Sequence, residues 1–133
     1  MAKRVLAAML DKFLDGFKTG GGAVGPCTRM TVCSAEPTTY TEGNATFALA
    51  DVTMAGADFT LANGDGAGNT PRKVTMSAKS AVPVDTTGTA THVALLDVTN
   101  SLLLEVTTCT SQALTSGNTV NFPAWKIEVG APT

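Results

Sequence analysis

The first eighteen residues, MAKRVLAAMLDKFLDGFK, place Val5, Leu6, Met9, Leu10, Phe13, Leu14 and Phe17 at helical spacing, with polar residues filling the opposite side. Gly16 and the run TGGGAVGP then end the pattern and supply a pliable joint. From Thr28 onward the period changes to two. RMTVCSA alternates, RKVTMSAKSAVPV sets Val74, Met76 and Ala78 against Lys73, Thr75, Ser77 and Lys79, and SLLLEVTT groups Leu102, Leu104 and Val106. Turn clusters fall between these runs at PTTYTEGN, NGDGAGNTP, DTTGT, VTNS and TSGN, rich in residues that tolerate positive φ or bond their own backbone.

Short half-buried strands at this spacing, with no second helical segment to make a crossover, predict a mainly β fold: an antiparallel β-sandwich or jelly roll with one N-terminal amphipathic helix. The organisation expected is a helix over 1–18, a Gly-rich linker over 19–27 and a β-sandwich domain over 28–133. The end of the chain reads as two antiparallel strands, LLLEVTTCTSQAL and TVNFPAWKIEV, joined by a tight turn at Ser116-Gly117-Asn118. In the second strand Val120 and Phe122 share one parity, whereas Trp125, Ile127 and Val129 share the other. A bulge or bend is therefore expected near Pro123-Ala124.

Composition narrows the partners. A hydrophobic fraction of 44% over 133 residues is enough for one core, while charged residues make up only 15% and threonine is the commonest residue. The net charge of −2 comes without clustered Lys and Arg, which argues against a nucleic-acid ligand. Residues 1–18 carry a balance of +2 and the remainder −4, so the N-terminal segment is a separate electrostatic unit. Asp11 interrupts its apolar run too early for a signal peptide, and the run is too short to span a membrane. A helix with one apolar stripe packs on its own domain, on a neighbouring subunit or, with cationic ends, on a membrane surface; packing within protein is the expectation here, and no membrane partner.

Candidate chemistry is sparse. Cys27, Cys33 and Cys109 are odd in number, so a disulfide framework does not close; a zinc site with His92 would need a narrower gap than Cys27 to Cys33 offers. Buried thiols are the expected state. His92 is the one imidazole, but no serine has a nucleophile elbow around it, and the residue reads as an edge histidine. NGDGAGN, 63–69, lacks the alternating ligands of a calcium loop and the spacing of a phosphate loop. Asn44-Ala45-Thr46 matches a glycosylation acceptor, a tripeptide common in Thr-rich chains. No catalytic residue, metal or cofactor is expected.

The segments RMTVCSAEPTTYTEGNATFALADVTM, RKVTMSAKSAVPVDTTGTATHVALLD and LLLEVTTCTSQALTSGNTVNFPAWKIEVGAPT resemble a family of small structural proteins encoded by tailed bacteriophages and prophages. The likeness covers roughly residues 28 to 133 and rests on a Cys-Ser-x-x-Pro-Thr-Thr-Tyr start, a Gly-Thr-x-x-His-Val-Ala centre and a Trp-x-Ile-Glu finish. It implies a virion protein made in the bacterial cytoplasm, and size and β-rich fold then favour a capsid decoration or cement protein on the major capsid protein lattice. Self-association as a trimer or other cyclic oligomer would suit that role, with the helix face Val5, Leu6, Met9, Leu10, Phe13, Leu14 and Phe17 as the contact to capsid or to sister copies. The alternative is a tail or tail-fibre associated receptor-binding module, for which Tyr40 and Trp125 are the aromatics on offer.

Overall fold

The computed structural model describes residues 7–64 and 72–129, with side chains from Lys12 onward. A helix, α1 (Ala7–Thr19), precedes strands β1 (Arg29–Cys33), β2 (Ala48–Thr53), β3 (Phe59–Asn63), β4 (Arg72–Met76), β5 (Lys79–Pro83), β6 (Gly88–Asp97), β7 (Leu102–Leu114), β8 (Thr119–Phe122) and β9 (Trp125–Val129). Every ladder is antiparallel, in sheets of order β2-β1-β6-β7, β3-β4-β9 and β5-β8. The mainly β class with one helix near the N-terminus, predicted from periodicity, is the class found.

The four-stranded sheet is apolar on both faces. On one face Met30, Val32, Val93 and Leu95 meet Phe59, Val74 and Met76 of the three-stranded sheet and Val82, Val120 and Phe122 of the two-stranded one, a sandwich-like arrangement around the main core. On the other face Cys33, Ala94 and Leu96 form a smaller cluster with Tyr40, Phe47, Leu103 and Val106. A π-turn, Glu42–Thr46, covers this second face. The buried Thr31 hydroxyl donates to the Gly43 carbonyl at 2.9 Å, which ties the turn to the sheet. β1 was expected to be half-buried; Met30 to Cys33 are all buried because this cover exists.

The expected hairpin between the last two long strands does not form. The turn is there, with Gly117 at φ 90° and the Asn118 N–H donating to the Thr115 carbonyl, but the chain changes sheet through it: β7 pairs with β6, and β8 pairs with β5. The expected bend at Pro123-Ala124 is present. Phe122 lies opposite Lys79, and Trp125 lies opposite Met76, so three steps along one strand match three steps back along the other. β4-β5 and β9-β8 are therefore one long ribbon, broken where Pro123 has no N–H to give. The bend brings both parities inward, with Phe122 buried and Trp125, Ile127 and Val129 packed against the same core. Ala78, expected inward beside Val74 and Met76, is instead exposed, because the facing strand also turns away there. Asp58 satisfies the groups this releases: its carbonyl accepts from the Ser77 N–H at 2.8 Å, and its carboxylate holds the Lys79 ammonium at 2.7 Å.

Leu102, Leu104 and Val106 do not share a face. Leu95 pairs with Glu105 and Leu96 with Leu103, leaving Leu104 as an extra residue in β7. This bulge sends Leu104 to the main core and Leu103 with Val106 to the second cluster.

The segment 19–27, expected to be a pliable linker, is instead a folded turn. Gly20 ends α1 at φ 72°, and a Cβ there would lie 2.8 Å from the backbone of Val24, Gly25 and Pro26. The Cys27 N–H donates to the Phe17 carbonyl at 2.9 Å. The buried Asp97 carboxylate accepts from the Gly25 N–H at 2.7 Å, from the Asn100 side chain at 2.7 Å and from the Asn100 N–H at 3.2 Å. Burial pushes the Asp97 carboxyl up, but the bonds from Asn100, Gly25 and Thr99 outweigh it and hold it below the ordinary aspartate range.

Ala81 sits at φ 54° in an irregular step of β5, its N–H bonded to Asn121, so Ala81→Gly removes left-handed strain and should raise stability by about 1 kcal/mol in a denaturant titration. Asp97→Ala leaves buried donors unpaired and should cost about 3 kcal/mol at neutral pH. The folded-state pKa of Asp97 lies below its unfolded value, so its contribution is present above about pH 5 and is lost as pH falls through the folded pKa. The gap between wild type and Asp97→Ala should accordingly narrow in acid.

Candidate interaction surface

The apolar stripe of the N-terminal helix divides. Leu14 and Phe17 are buried in the main core, where α1 packs on β3 and β4. Phe13, one turn before Phe17, lies at the margin of this packing and is 65% exposed. Val5 and Leu6 lie outside the described residues, as do the side chains of Met9 and Leu10. The helix thus contributes Leu14 and Phe17 to the domain's own core, and among the described side chains of the stripe Phe13 is the exposed one.

Beside Phe13 runs an open groove of about 600 Å³. Phe13, Gly16 and Phe17 form its helical wall, a row three and four residues apart, and Leu102, Leu103 and Leu104 form the opposite wall. Gly16 has nothing within 4 Å of where a Cβ would sit, so its missing side chain helps to leave the groove open. Val24, 40% exposed, closes one end, while Lys12 and Asp15 stand at the rim. Sequence reasoning marked Phe13 but missed Val24 and the leucines as members of this surface. A usable signal was present: three consecutive leucines cannot all face one side of a strand.

The groove abuts the start of β7, an edge strand of thirteen residues. Residues 108 and 110–113 of that strand are exposed, and Glu105 is its sole charge. Burial pushes the Glu105 carboxyl up. Two other edges, β2 and β9, are guarded. β2 is bridged at Ala50 to Val84, and its Leu49 carbonyl accepts from Asp85 and Thr86; β9 carries the Lys126–Glu128 ion pair, 2.9 Å apart.

The groups considered for chemistry stand apart from this surface, and Cys33 is the direct cross-strand partner of His92. Cys27 is buried and donates to the Arg29 carbonyl, and burial pushes its thiol up to about 11. Burial likewise raises Cys33, in the second cluster, and the half-buried Cys109. His92, half-buried between Cys33 and Thr108 in the sheet, bonds the Thr91 hydroxyl through Nδ1 at 2.9 Å. Among the described residues no three His, Cys, Asp or Glu side chains gather closely enough to hold a metal ion. Asn44 accepts from Arg29 at 2.7 Å, and most of the 63–69 loop lies outside the described residues. Tyr40 and Trp125 are half-buried in different clusters. No described helix is long and apolar enough to cross a membrane.

No protein-family model, curated protein or solved structure matches this chain.

The division of the helix is measurable by unfolding. Phe13→Ser should change stability by no more than about 0.5 kcal/mol, whereas Leu14→Ala should cost roughly 2–5 kcal/mol. Equal losses from the two would contradict the orientation of α1.

Proposed function

We propose that this chain is a structural protein of a tailed-bacteriophage virion, seated on the lattice of the major capsid protein as a decoration or cement subunit. The observation that carries the reading is the juxtaposition of an apolar groove, rimmed by exposed Phe13 and Val24, with a long, nearly uncharged edge strand. Such a surface suits adhesion through shape and apolar contact. A subunit repeated over a lattice needs only weak individual contacts, because linkage through neighbours multiplies them. The resemblance of residues 28–133 to small phage structural proteins points the same way. In this reading the protein is not an enzyme, and its partners are the capsid lattice and its own copies rather than nucleic acid or a membrane.

Removing the helix would be a poor test, since it takes Leu14 and Phe17 out of the core. A substitution at Phe13 is cleaner. Virions purified from a host carrying the gene should contain the protein, and particles made without it should lose a layer of density over the capsid surface. Phe13→Asp should reduce its occupancy at least tenfold without unfolding the free protein. Purified virions that contain none of the protein would overturn the proposal.

A further inference from the structure

We draw no further inference here: the strongest candidate, the apolar groove between α1 and the start of β7, belongs to the interaction surface already described, and nothing in the structure shows what covers it.

Discussion

A sheet that is apolar on both faces must be covered twice. In β2-β1-β6-β7 that requirement organises the rest of the chain, because β1 and β6 bury consecutive residues rather than alternate ones. Antiparallel sheets commonly leave one face in water, so a second apolar face needs its own cover. The main cover is the bent ribbon of β4-β5 with β9-β8, together with β3 and α1; the second is the short stretch from Ser34 to Phe47. That second cover is small, and polar contacts hold it. Thr31 grips Gly43 from beneath, Arg29 grips Asn44 from the rim, and Glu42 fixes the entry to the turn by accepting from the Thr38 and Thr39 N–H groups. A lone threonine hydroxyl buried in a sheet is tolerable because it has this partner.

Local physics was legible in the sequence, and the pairing of distant segments was not. The helix was read from its apolar spacing, and its described span, Ala7–Thr19, falls within a residue of the expected end. The bend at Pro123-Ala124 was read from a parity switch, which is a local consequence of the period of two. The hairpin at TSGN failed for an instructive reason. A turn reverses the chain but does not decide which edge the next strand joins, and here β8 joins β5 while β7 remains with β6. Likewise the SLLLEVTT run gave correct strand content and wrong facing, because the bulge at Leu104 arises from its alignment with β6. The Glu42–Thr46 turn could have been found. Thr39-Tyr40-Thr41-Glu42 has the reciprocal capping pattern, with Glu42 N–H donating to the Thr39 hydroxyl and the Glu42 carboxylate accepting from Thr39 N–H.

The candidate surface illustrates the same division. Phe13 belonged to a stripe that sequence alone marks as adhesive, yet the stripe is wide enough to serve two purposes: Leu14 and Phe17 face inward, and Phe13 is left at the edge. Helical spacing shows that these residues lie near one another but not where the core ends. The opposite wall comes from β7, some ninety residues later in the chain, and no local pattern announces that the two will meet.

What brings them together is the Asp97 clasp. Asp97 is the last residue of β6, Asn100 lies in the turn that follows, and Leu102 opens β7; the carboxylate binds that turn on one side and Gly25 on the other. A side chain at position 25 would collide with both, since a Cβ there would fall 2.7 Å from the Asp97 carboxylate and from the Asn100 amide. The return from α1 is therefore held against the turn from which the groove's second wall and the edge strand β7 both begin. A buried, fully bonded charge is a costly way to join two segments, and its gain is geometric, because its bonds are directional where apolar contacts are not. Through it, the spacing between Phe13 and the leucines of β7 is set from within the core, so this apolar exposed surface is tied to a buried, multiply bonded carboxylate.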